Sequence, residues 1–167
     1  MTAVALHESQ IHDHDDVVVD TNVLAHSDNR HSTFHADALE FLLWLIDGSE
    51  HNWVLDDNGK DAPLLKTSLI WTEYQETLSQ VSSAMLLFKS ALDTGRVCFA
   101  TRPSQAQRLL IRGLVPRNRK DRVVLGAAAN SGSKWLVTND FDDFDDPTRA
   151  ACQSLLDVSV TDALKPT

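Results

Sequence analysis

The sequence predicts an α/β fold of three layers, α/β/α, with helices covering both faces of a central parallel sheet. Three observations lead there. Short apolar runs of strand length alternate with segments whose apolar residues recur every three or four positions. The runs are apolar throughout, as strands buried on both faces are, and do not alternate in polarity. At 167 residues, with 43% hydrophobic and 23% charged side chains, the chain fits one packed domain spanning 1–167.

The elements follow in order. Residues 1–15 read as a flexible tail. The cluster His12, Asp13, His14, Asp15 and Asp16 could be drawn as a metal site, but nothing nearby buries or orients it, so a solvated tail is the expectation. Val17, Val18 and Val19 form a buried strand that ends at Asp20. Helical spacing runs over 34–46, with Ala38, Leu39, Leu42, Leu43, Leu45 and Ile46 on the apolar side and Gly48 as the stop. Residues 48–63 are polar and turn-rich and read as a surface excursion, with a tight turn at Asp57-Asn58-Gly59. Helices are expected over 69–80 and 84–92, the second closed by Gly95. A strand over 97–99 follows, then a helix over 104–111 opened by Pro103. An Ala-rich helix over 120–130, a strand over 135–137 and a last strand over 157–161 complete the alternation.

Composition excludes several classes. No apolar run approaches the ~20 residues of a membrane helix. The N-terminus lacks a basic start followed by an apolar stretch, so no secretory signal is expected. Cys98 and Cys152 are too few for a disulfide framework or a zinc ribbon. A soluble, cytoplasmic, membrane-free protein is the expectation.

Net charge is −9, unevenly spread. Residues 102–122 hold Arg102, Arg108, Arg112, Arg117, Arg119, Lys120 and Arg122 against the single acid Asp121, a net +6, which leaves −15 for the remainder. Such a stretch is a candidate phosphate-binding footprint, though, taken alone, a solvated helix face plus a loop is the favoured explanation.

The acids carry more information. Ligands of parallel α/β sheets bind beyond the carboxyl ends of the strands. Asp20 ends the first strand and Asp140 closely follows the strand over 135–137, although Asp also caps helices and closes turns. Asp121 shares a helical face with Val124, Leu125 and Ala128, so it points at the core edge and needs a cation or donors; Arg122 or Lys120 could serve. Glu73 borders the apolar stripe of Leu69 and Ile70, whereas Glu76 drifts toward solvent. Several carboxylates converging at one edge would repel unless a divalent ion neutralised them. All-oxygen ligation suits magnesium or manganese, not zinc.

At this point the chain resembles the PIN-domain nuclease family. Residues 17–24 (VVVDTNVL) and 68–78 (SLIWTEYQETL) look like its first two motifs, and 121–128 (DRVVLGAA) and 136–144 (LVTNDFDDF) like its last two, in the family's order. The resemblance implies a parallel sheet of about five strands and an acidic pocket at one sheet edge. It implies metal-binding and catalytic roles for Asp20, Glu73, Asp121 and Asp140, with Asp143 as a further acid that some members carry. Thr21, Asn22 and Thr138 would orient the carboxylates. The small size and the NVLAHSD loop are similar to VapC-type toxins, ribonucleases restrained by an antitoxin.

The expected function is therefore a magnesium- or manganese-dependent endoribonuclease, with residues 102–122 contacting phosphates. RNA, an antitoxin protein and a second copy of the chain are the expected partners. A catalytically silent PIN-like interaction module is the alternative, but all four motif positions are acidic. A phosphoaspartate phosphatase would want an acid where Asn22 stands, and a receiver would want a Lys after the strand that Lys134 precedes.

Overall fold

The computed structural model describes residues 16–47 and 51–163. Five strands form one all-parallel sheet: β1 (Asp16–Val19), β2 (Asn52–Asp56), β3 (Val97–Ala100), β4 (Trp135–Val137) and β5 (Ser159–Thr161). Their spatial order is β3-β2-β1-β4-β5. Helices α1 (Thr21–Asp28) and α2 (His35–Asp47) join β1 to β2, and α3 (Leu69–Thr77) and α4 (Ser83–Asp93) join β2 to β3. Helices α5 (Gln105–Leu114) and α6 (Arg119–Ala129) lead to β4, and α7 (Asp146–Leu156) leads to β5. The three-layer α/β/α fold expected from the sequence is the fold found.

Connectivity fixes the layers. The first two crossovers run one way from β1, and the chain then returns past β1 to β4 and β5 on its other side. Right-handed crossovers therefore put α1–α4 and α5–α7 on opposite faces. Contacts agree: α1 packs on α2, α3 and α4, while α5 packs on α6 and α7. The connections diverge between β1 and β4, the switch point where ligands bind in such sheets. There α3 from one layer meets α6 from the other.

Val17, Val18 and Val19 are fully buried, as the central strand of a covered sheet must be. Trp53 of β2 stands edge-on to Phe88 of α4, with ring centroids 5.0 Å apart. Its indole N–H donates to the Tyr74 hydroxyl (3.2 Å), which in turn donates to the Val19 carbonyl at the end of β1. These buried aromatics thus satisfy their polar tips while tying α3 to the sheet. Among the described residues no helix is long and apolar enough to cross a membrane.

Several expectations need correction. The stretch 48–63 is a surface excursion only in part: Asn52–Asp56 is β2, which pairs with both β1 and β3, and the mostly exposed loop over 57–63 follows it, while 48–50 lie outside the described residues. The apolar part of β2 is only Trp53-Val54-Leu55, diluted by polar neighbours in any window long enough to show periodicity. The expected turn that follows is present: Asn58 and Gly59 both have positive φ, and the Gly59 N–H donates to Asp57 Oδ1 (2.8 Å). The NVLAHSD stretch is helix α1 and not a loop, and α7 fills a stretch for which no element was expected. Both helices bury few apolar residues, Val23 and Leu24 in α1 and Cys152 and Leu156 in α7. Asp16 belongs to β1 and not to a tail: its N–H donates to Ser133 Oγ (3.0 Å), and its carboxylate accepts from Asn52 Nδ2 (3.0 Å). The tail over 1–15 with His12, Asp13, His14 and Asp15, and the Gly48 stop, lie outside the described residues.

Candidate metal centre

Asp20 leaves β1 and caps α1, its Oδ1 accepting from the Thr21 N–H (2.8 Å). Its Oδ2 accepts from the Thr138 hydroxyl (2.8 Å) and from Asn22 Nδ2 (3.2 Å). Thr138, just past β4, also accepts from the Asp140 N–H (3.1 Å), so one hydroxyl links the acids after β1 and β4. Asn22 Oδ1 accepts from the Asn139 N–H (2.9 Å) and fixes the loop beyond β4. Asn22 and Thr138 thus hold Asp20 through their side chains. Thr21 does so through its backbone, and its buried hydroxyl has no partner.

Burial pushes the Asp20 carboxyl up to about 6, with the nearby charges of Glu73 and Asp140 adding to the rise and the Thr138 hydrogen bond opposing it. Asp121, in the first turn of α6, is also buried. Burial chiefly, then a hydrogen bond with Asp143 and the charges of Asp20, Asp140 and Asp143, raises it well above the usual carboxylate range. Its Oδ2 is buried without a hydrogen-bond partner. Neither basic neighbour neutralises it. Lys120 Nζ turns to Glu73 (3.6 Å), and Arg122 Nη1 donates to the carbonyls of Val115 (3.3 Å) and Pro116 (2.9 Å).

Asp121, Asp140 and Asp143 each bring an oxygen within 4.8 Å of the others, a group that could hold a metal ion. Asp121 is buried and the other two half-buried, so the cluster is reachable from solvent. Asp140 Oδ1 accepts from the N–H groups of Asp142 (3.0 Å) and Asp143 (2.9 Å), a turn that folds Asp143 back toward the cluster. Asp20 and Glu73 stand beside this group and not within it. Glu73 is half-buried on α3, whereas Glu76 is exposed.

Arg149 of α7 holds the loop that carries Asp140 and Asp143. Its guanidinium donates to the carbonyls of Phe144 (2.6 Å) and Thr138 (3.3 Å), pairs with Asp162, and lies 5.1 Å from the Phe141 ring centre. Phe141 in turn meets Phe34 (5.6 Å), which stacks on His26 (5.0 Å). Burial lowers the His26 pKa, and Asn139 Nδ2 donates to its Nδ1 (3.2 Å). Sequence reasoning missed Arg149, Phe141 and Asn139; their partners lie on other elements, beyond the reach of local pattern.

The basic segment divides. Arg102, Arg108, Arg112, Arg119 and Arg122 line one cleft, and Arg119 lines with Lys120 a second depression that contains Glu73. Arg117 lies in neither; its charge acts on Asp145. The chain matches no family model, no curated protein and no solved structure.

Proposed function

We propose that the chain is a metal-dependent nuclease that hydrolyses RNA. The observation that carries this reading is the convergence of Asp121, Asp140 and Asp143 at the switch point of the sheet, with one buried Asp121 oxygen lacking any partner. Mutually repelling acids with an orphaned oxygen are chemically suited to a hard divalent cation, and oxygen-only donors favour magnesium or manganese. The resemblance of four segments, in order, to the motifs of PIN-domain nucleases supports the same reading.

Asp121, Asp140 and Asp143 would hold the ion, while Asp20 and Glu73 set the negative charge around it. A divalent ion supplies Lewis acidity, acidifying water and screening the phosphodiester. Thr138 and Asn22 keep Asp20 fixed, so little reorganisation is needed during reaction. Arg119 and Lys120 flank Glu73 and would meet the strand's phosphates, which offsets the repulsion between an acidic centre and RNA. Water adds to phosphorus, the bond to the 3′ oxygen breaks, and the proton released passes to that oxygen. The products carry a 5′-phosphate and a 3′-hydroxyl. The toxin role and an antitoxin partner belong to the same proposal.

End-labelled single-stranded RNA incubated with the purified chain tests it. Cutting is expected with magnesium or manganese and none with excess chelator. Asp121→Asn and Asp140→Asn should each lower the rate at least a hundredfold. Cleavage that survives exhaustive chelation, or folded variants that cut at the parental rate, would sink the reading.

A further inference from the structure

Five arginines line one cleft of about 240 Å³, which shares Leu69, Arg119 and Val123 with the depression that contains Glu73. Arg102 precedes α5, Arg108 and Arg112 lie one turn apart on α5, and Arg119 and Arg122 lie on α6. Asp56 is the sole acid of the lining, and its carboxylate is already engaged. Oδ1 accepts from the Ser68 hydroxyl (2.7 Å) and the Ile70 N–H (2.8 Å), and Oδ2 from the Leu69 N–H (3.1 Å). Among the described residues none of the five arginines forms a salt bridge, and Arg112 and Arg119 make no side-chain hydrogen bond. In a chain of net charge −9, acids are abundant, yet none is spent here.

The cleft is not merely basic. Leu69, Ile111 and Val123 are among the apolar side chains that line it, so the cations surround an apolar wall. That pairing selects a ligand with a phosphate and a flat apolar body. Guanidinium forks suit phosphate oxygens, and a nucleobase gains from apolar or guanidinium faces. At about 240 Å³ the cleft is smaller than the ~300–1,000 Å³ of pockets that enclose a drug-sized ligand, so it would seat part of one nucleotide, leave the rest in solvent, and admit no duplex. Leu69 is one turn before Glu73 on α3, ~6 Å along the axis, and Leu69, Arg119 and Val123 also line the depression containing Glu73.

We propose that this cleft binds a single nucleotide, its phosphate on the arginines and its base against the apolar wall. The proposal rests on the nucleic-acid half of the proposed function and needs no catalysis. The ligand is either a free nucleotide or one unpaired nucleotide of a strand that runs on to the carboxylates.

Calorimetric titration of the full chain in chelator separates these sources, with adenosine 5′-monophosphate, a single-stranded adenosine tetranucleotide and inorganic phosphate as probes. One-to-one binding of either nucleotide probe, at least tenfold tighter than phosphate, is expected. Binding of the monophosphate identifies a free-nucleotide site, and binding of the tetranucleotide alone identifies a strand subsite; both support the proposal. Arg112→Ala and Arg119→Ala should each weaken binding about tenfold or more, while Lys89→Ala, which removes a charge on α4 outside the cleft, should match the parent. No saturable binding, inorganic phosphate binding as tightly as the nucleotides, or arginine variants that bind like the parent would overturn it. Nucleotide binding without metal-dependent cleavage would keep this site and reject the nuclease. Cleavage without arginine-dependent nucleotide binding would do the reverse.

Discussion

At the scale of single residues, the centre is built from acids placed where folding alone would not put them. Burying a carboxylate without full hydrogen bonding is unfavourable, and Asp121 leaves Oδ2 bare beside Asp20, Asp140 and Asp143. Replacing it by an amide of equal size removes the repulsion and can keep a hydrogen bond to Asp143. Asp121→Asn should therefore stabilise the metal-free protein at pH 8 by about 1 kcal/mol or more, a Tm rise of roughly 2–4 °C per kcal/mol, while abolishing cutting. Thermal melts in chelator check it, and a lower Tm would show that the acid is a structural member. Such positions are partly legible in a sequence. Asp20 and Asp140 are found by their place after strands, and Asp121 by sharing a face with Val124 and Leu125. Asp56 and Arg149 are not, because their meaning lies in partners 12 and 13 residues away, Ser68 and Asp162, on elements the local pattern does not connect.

At the scale of elements, α6 does the most to join structure to chemistry. Asn118 caps it, accepting from the Lys120 N–H (2.9 Å), and Asp121 occupies its first turn. Its Ala127-Ala128-Ala129 stretch lets it lie close over β1, β2 and β4. Gly126 reports how close the packing is, since a Cβ there would fall 2.7 Å from Pro103 Cγ. Ala gains about 1 kcal/mol of helix propensity over Gly, but overpacking against a ring that cannot swing away costs about 1–3 kcal/mol. Gly126→Ala should be net destabilising by about 1 kcal/mol, read as a lower urea midpoint at unchanged slope. A stabilised variant would mean that the Pro103 loop yields freely. Helices with many buried apolar residues, such as α2 and α6, are legible from the sequence. The strand β2 is not, although it is the second strand of the sheet's centre, because three apolar residues among Asp, Asn and Gly carry no period. Its burial is decided by β1 and β3, which no local window contains.

At the scale of the whole molecule, two helical layers meet over the strand ends and bring together acids from α3, α6 and the loops after β1 and β4. On the proposed reading, that arrangement couples stability to metal binding. Asp20 titrates at about 6 in the folded protein against about 4 unfolded. An acid raised in this way contributes stability fully below its unfolded pKa and loses it as pH climbs through the folded value. For Asp20 that loss falls between about pH 4 and 6, and Asp121, also raised, extends it higher. A rise of two pKa units corresponds to about 3 kcal/mol at most. Asp145 and His26 are lowered and work in the opposite direction, but Asp145 is fully exposed and His26 partly so, and water screens both. In chelator the Tm should therefore fall from pH 5 to pH 8, contrary to ordinary acid denaturation. A divalent ion held by Asp121, Asp140 and Asp143 next to Asp20 would act against this loss, because binding at a hundred times Kd adds about 2.7 kcal/mol. In excess magnesium or manganese the profile should flatten or turn upward toward pH 8, where the ionised carboxylates bind best. Asp20→Asn should remove the pH 4–6 part of the slope in chelator. A chelated protein whose Tm climbs steadily from pH 5 to 8, and does not respond to either metal at pH 8, would show that these acids are neutralised within the fold and form no metal centre.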